Sequence, residues 1–171
     1  MLLFAYKVGG THIKDGILVS IDPCTVDLVI PDGVDVIGFG AARSLRMLET
    51  VVIPDSVIMI EKNAFYSCPY LRKVNLPDSL VSIGPWAFGF CFSLKEVKVP
   101  KNVNCLPEGV FAGCSSLRKV VLPKSLRSIH RSAFIDVKEA KFEGVTLDAE
   151  MLEKINYEDG WWDLKPIEKY E

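Results

Sequence analysis

The sequence predicts a β-rich solenoid, a short right-handed stack of parallel strands on a concave face, and three observations predict it. Prolines stand at 31, 54, 77, 100 and 123, always 23 residues apart. Apolar columns repeat on the same interval: Leu48, Leu71, Leu94 and Leu117; Val51, Val74, Val97 and Val120; Ile53, Leu76, Val99 and Leu122. Cys68, Cys91 and Cys114 follow it as well. A fixed period of this length means stacked supersecondary units, each covering its neighbour's apolar side chains.

Within a unit the first element is a strand. In one copy Leu71, Val74 and Leu76 point inward, leaving Lys73 and Asn75 outward on the sheet. Pro77 follows at once and lacks a ladder donor, so it ends the strand. Ser79 and its equivalents Ser56, Asn102 and Ser125 are expected to turn inward and satisfy the backbone of the following bend. Two more apolar columns come next, Val34, Val57, Leu80, Val103 and Leu126, then Ile37, Ile60, Ile83, Leu106 and Ile129. The last column is aromatic: Phe65, Phe88, Phe111 and Phe134, with Ala42 in the first full unit.

The run Leu71, Val74, Leu76 and Ser79 resembles the leucine-rich-repeat signature, with serine where asparagine usually stands. Ile83-Gly84, Ala87-Phe88 and Cys91, with Ala64-Phe65 and Cys68 in another copy, are similar to the 23-residue unit of BspA-like bacterial leucine-rich repeats. The match runs from about Val26 to Phe142. It implies a leucine-rich-repeat solenoid over 1–142, with repeats near 31–53, 54–76, 77–99, 100–122 and 123–142. Because such repeats occur in large cell-surface proteins, it also implies an alternative function, as a fragment of an adhesin or glycan-contacting protein.

Both ends depart from the repeat. Residues 1–25 read as a capping hairpin that turns at Asp15-Gly16, a strong short-range signal. Residues 143–171 form an acidic cap and tail with nine acids against three lysines. There Leu147, Met151, Leu152 and Ile155 suit one face of a short amphipathic helix, followed by Trp161 and Trp162.

Composition narrows the functional classes. The formal charge is −2, whereas nucleic-acid binding usually needs a strongly basic domain; nucleic acid therefore enters only as a disfavoured alternative through the basic C-terminal rungs. No apolar run approaches the roughly 20 residues of a membrane span, no export leader is evident at the start, and the expected location is cytoplasmic. The five cysteines form neither a metal pair nor a disulfide framework, and are expected to be reduced core thiols.

No group of residues demands chemistry. His12 and His130 lack a nearby second metal ligand, a triad of His130 with Ser128 and Asp136 is disfavoured because His130 stands in a variable column, and Cys105 has no activating neighbour. No enzyme activity and no cofactor are expected. The outward columns carry the functional signal. The first strands bear Asp27, Asp32, Glu49 and Asp55; the last bear Lys95, Lys98, Lys101, Arg118, Lys119, Lys124, Lys138 and Lys141 against Glu96 and Glu139. Val29, Val52 and Val121 are also outward, and an apolar centre within a charged rim suits a protein interface. The expected role is a protein-binding module, an inhibitor or adaptor, recognising an acidic partner through Lys73, Asn75, Lys95, Lys98, Lys101, Arg118, Lys119, Val121, Lys138 and Lys141, with Trp161 and Trp162 as further contacts.

Overall fold

The computed structural model describes residues 5–8 and 10–144. Its rungs have three sides: two carry short strands and the third is a run of turns. The chain opens with β1 (Ala5–Val8), β2 (Thr11–Lys14) and β3 (Ile17–Ile21), an antiparallel meander. Asp15 and Gly16 both have positive φ, 51° and 76°, the backbone of a two-residue I′ turn, whose twist matches the flanking strands.

The first strand side holds β4 (Asp27–Val29), β6 (Thr50–Val52), β8 (Lys73–Asn75), β10 (Glu96–Lys98), β12 (Lys119–Val121) and β14 (Lys141–Glu143). The second holds β5 (Val36–Ile37), β7 (Met59–Ile60), β9 (Ser82–Ile83), β11 (Cys105–Leu106) and β13 (Ser128–Ile129). All ladders between rungs are parallel, and their partners lie one repeat apart, as in Val51 with Val74 and Val97 with Val120. The meander joins the second side, where β3 pairs with β5. It covers the first rung by extending that sheet, burying Ile13 and Leu18.

The expected columns form one continuous core. Phe65, Phe88, Phe111 and Phe134 stack with centroids 5.2, 5.6 and 5.5 Å apart, and Phe142 closes the column edge-on at 5.1 Å. The buried thiols of Cys68, Cys91 and Cys114 donate to the carbonyls of Ala42, Phe65 and Phe88 at 3.0, 3.3 and 3.2 Å. Burial pushes Cys68 and Cys114 up to about 12 and Cys91 well above its ordinary value. Cys24 and Cys105 are exposed, so the expectation of core thiols holds for three of the five.

One expectation is corrected. The Ser56 and Ser79 hydroxyls donate to Val34 and Val57 carbonyls, Asn102 Nδ2 to the Asp78 carbonyl and the Ser125 hydroxyl to the Lys101 carbonyl. These side chains tie each turn to the preceding rung instead of serving their own bend, because a stacked rung brings its carbonyls closer than the local turn does. Asn102 and Ser125 are exposed rather than inward. The short helix expected near 147–155 lies outside the described residues.

The ladders are not uniform. No strand pairing joins β8 to β10 or β9 to β11, although β8 and β10 run side by side. Asn75 alters the junction before that one, between β6 and β8, where its Oδ1 accepts from the Ile53 N–H at 2.9 Å and its Nδ2 donates to the Ile53 carbonyl at 3.0 Å. The equivalent N–H groups of Ile30 and Val99 bond the strand carbonyls of Val52 and Val121. On the second side Gly84 and His130 donate to Ile60 and Leu106. Pro107 stands at their position between them and has no N–H to offer Ile83.

Candidate interaction surface

Alternation along the three-residue strands sets the surface: each buries its middle residue and turns the outer two to solvent. Ladder register then builds two outward columns. One runs Asp27, Thr50, Lys73 and, past the unpaired junction, Glu96, Lys119, Lys141. The other runs Val29, Val52, Asn75 and then Lys98, Val121, Glu143. The strand residues of the first two rungs thus present Asp27 beside Val29 and Val52, and those of the last three present Lys98, Lys119 and Lys141 against Glu96 and Glu143.

Lys73, Lys98, Lys119, Val121 and Lys141 lie on the strands themselves. Lys95, Arg118 and Lys138 are exposed on the segments leading into β10, β12 and β14, while Lys101 occupies the corner turn after β10. The basic set is therefore a band around the strand face and its margins, not a flat sheet of lysines. Asn75 is exposed, but its amide is engaged by Ile53, so it serves the fold. Trp161 and Trp162 lie outside the described residues.

Neighbouring charges compensate one another in part. Lys119 and Lys141 stand directly opposite across a ladder, where like charges repel. Glu143 offsets this through a 3.1 Å ion pair with Lys119, a partner absent from the outward columns assigned above. Arg118 pairs with Glu139 at 3.2 Å, and Arg72 with Glu49. Lys95, Lys98, Lys101, Lys138 and Lys141 form no ion pair among the described residues. At the acidic end Thr50 donates its hydroxyl to Asp27 at 2.5 Å.

The structure does not assemble His130 with Ser128 and Asp136. His130 Nδ1 instead lies 2.9 Å from the Ser132 hydroxyl and accepts from the Ser132 N–H at 3.3 Å, while that hydroxyl accepts from the Gly109 N–H at 3.1 Å. This is a turn-stabilising arrangement that links two rungs. Among the described residues no group of His, Cys, Asp or Glu has the geometry to hold a metal, and no helix is long and apolar enough to cross a membrane.

Sequence reasoning missed an aromatic cluster on the turn side. Trp86 and Phe90 are near-parallel with centroids 6.1 Å apart, and Tyr66 meets Phe90 edge-on at 5.5 Å. Phe92 joins at 6.1 Å, and Arg43 lies 5.2 Å above the Tyr66 ring. A signal was present: the Trp86 column otherwise holds Gly40, Asn63, Gly109 and Ser132, and the Phe90 column Ser44, Ser67, Gly113 and Asp136. Large rings are conspicuous among such turn residues.

Comparison with known proteins fits this architecture. The family model for the BspA type leucine rich repeat region matches residues 22–141 in six copies. Among solved structures, a leucine rich cell surface protein from Faecalibacterium prausnitzii is 25% identical with a TM-score of 0.76, over 92% of this chain and 41% of its own. A T. pallidum leucine rich repeat protein is 32% identical with a TM-score of 0.70, over 81% and 66% respectively. One from Eubacterium ventriosum, 21% identical with a TM-score of 0.68, covers 80% and 44% and shares the fold. The chain thus spans 41% to 66% of the length of these structures. No curated protein matches it. The expected cytoplasmic location finds no support in these comparisons, since the F. prausnitzii protein is one of the cell surface.

Proposed function

The chain belongs to the BspA-type leucine-rich-repeat family, and from that premise we propose that it is a non-enzymatic module, an inhibitor or adaptor, that binds a protein partner with an acidic surface through its last three rungs. Solenoids of this kind present extended surfaces on which partners dock. The observation that carries the reading is the set of lysines that form no ion pair among the described residues, Lys95, Lys98, Lys101, Lys138 and Lys141, around the partly exposed Val121. Complementary charge speeds encounter and selects among partners, and an apolar centre supplies desolvation.

The test is the triple reversal Lys98→Glu, Lys119→Glu and Lys141→Glu, with folding checked by circular dichroism and thermal melting. Capture of acidic partners from a native lysate should fall by about tenfold or more, and the remaining binding should weaken less steeply with salt. Unchanged capture by a folded triple variant refutes the proposal.

The F. prausnitzii neighbour favours a second reading, in which the solenoid is part of a surface-displayed adhesin or glycan-contacting protein. Sequencing the complete parent gene decides it: an upstream export segment supports this reading, and a parent gene without one removes it.

A further inference from the structure

The junction between rungs three and four differs from every other described junction, and its peculiarities share one location. Both strand ladders lapse there, β8 from β10 and β9 from β11. One core column loosens at the same place, where Leu76 is only partly buried and Ile53, Val99 and Leu122 are each 2% exposed, while the Phe88–Phe111 stack and the Cys114 thiol bond to the Phe88 carbonyl still cross. Backbone continuity survives on the turn side, where the N–H groups of Trp86, Phe88, Phe90 and Ser116 donate to Glu108, Val110, Ala112 and Phe92 at 2.9, 3.0, 2.7 and 3.1 Å. Asn102 adds one bond across the corner, to the Asp78 carbonyl.

On that surviving side the backbone is strained. Trp86 and Phe90 have φ of 59° and 60°, a left-handed conformation that bulky residues rarely adopt. Gly40, Asn63 and Gly109 take it in the first column, and Ser44, Ser67, Gly113 and Asp136 in the second. Such strain persists only where the surroundings enforce it. Here both rings reach across the junction: an added Cβ at Gly109 would lie 2.3 Å from Trp86, and one at Gly113 would lie 2.5 Å from Phe90. Each ring thus covers a glycine of the next rung, and Tyr66 backs the pair from the rung before.

We infer that this junction is a hinge, joining two separately cooperative blocks, residues 10–93 and 94–144, which Trp86 and Phe90 latch together on the turn side. In a stack held by nearest-neighbour contacts, the weakest interface decides where it divides. Loss of both ladders with retention of the turn-side bonds makes opening a rotation about the turn side, separating β8 from β10 and β9 from β11. The first block is braced by the antiparallel meander paired onto β5, so the second opens first. The inference is independent of the proposed partner.

Native-state hydrogen exchange in increasing urea tests it on the full chain. Ser82 and Cys105 occupy one column on either side of the junction, so a Cys24→Ser, Ser82→Cys variant places two exposed thiols across the hinge. A disulfide needs Cα atoms within about 7 Å, so the bond traps the closed junction. In the reduced variant, amides of 94–144 should lose protection at least about tenfold more than those of 10–93 at intermediate urea. Mild oxidation should form the cross-link and merge the two groups. Trp86→Asn with Phe90→Ser, the residues of the preceding rung, should lower protection in 94–144 by a further tenfold or so while sparing 10–93. A single common urea dependence in the reduced protein, failure of the cross-link, or a cross-link that leaves the gap unchanged overturns the hinge. Equal losses in both blocks on removing the rings overturn the latch.

Discussion

Replacing Phe88 by alanine tests the stacked core in the middle of its phenylalanine column. Phe88 is fully buried and lies between Phe65, 5.2 Å away and inclined by 4°, and Phe111, 5.6 Å away and inclined by 11°. Truncation of a buried phenylalanine costs about 3–5 kcal/mol in lost transfer energy and cavity formation. Each aromatic neighbour adds about 0.5–1.5 kcal/mol beyond burial. With a ring on both faces, Phe88→Ala belongs at the upper end, about 4–5 kcal/mol. For a chain of this size that lowers Tm by roughly 10–20 °C. Phe65→Ala should cost about 1 kcal/mol less, because its second face meets the rung of Ala42 and lacks one stacked ring. Urea denaturation followed by circular dichroism measures both. A loss below about 1.5 kcal/mol for Phe88→Ala, or a larger loss for Phe65→Ala than for Phe88→Ala, refutes the stacking argument.

Cys68, Cys91 and Cys114 should resist alkylation in the native protein and react only on unfolding, while Cys24 and Cys105 label at once; mass spectrometry after pulse labelling separates the two sets. The buried thiols also make stability depend on alkaline pH. Cys114 stays protonated up to about 12 when folded, against an ordinary value of 9.0 in the unfolded chain. Between those values the unfolded state binds fewer protons, so stability falls as pH rises, by up to about 1.4 kcal/mol per pH unit for each such thiol. Cys114→Ala should flatten the slope of urea-unfolding free energy above pH 9 by that amount, and an unchanged slope contradicts the assignment. Gly84→Ala should cost about 3 kcal/mol or more, since a Cβ there would stand 2.4 Å from the Lys62 backbone nitrogen, which no side-chain rotation relieves. A melting temperature equal to that of the parent shows that the rungs can separate at that point.

The content of each rung was legible in the sequence, because burial in a stacked unit depends on spacing within the repeat. Leu71, Val74, Leu80 and Phe88 declare an inward side by position alone, and the copies at 48, 94 and 117 repeat the message. The same logic exposed the outward lysines of rungs four to six. Asp15-Gly16 set its hairpin through local backbone preference, which needs no partner. What the sequence left open concerns partners one rung away. Ser79 reaches the Val57 carbonyl rather than its own bend, Lys119 selects Glu143, the meander attaches to the second strand side, and Asn75 turns to Ile53. Each choice depends on how closely adjacent rungs approach and which polar group arrives first. The residues of a single rung specify its own fold, whereas that approach is an outcome of packing the whole stack, and only the tertiary structure decides it.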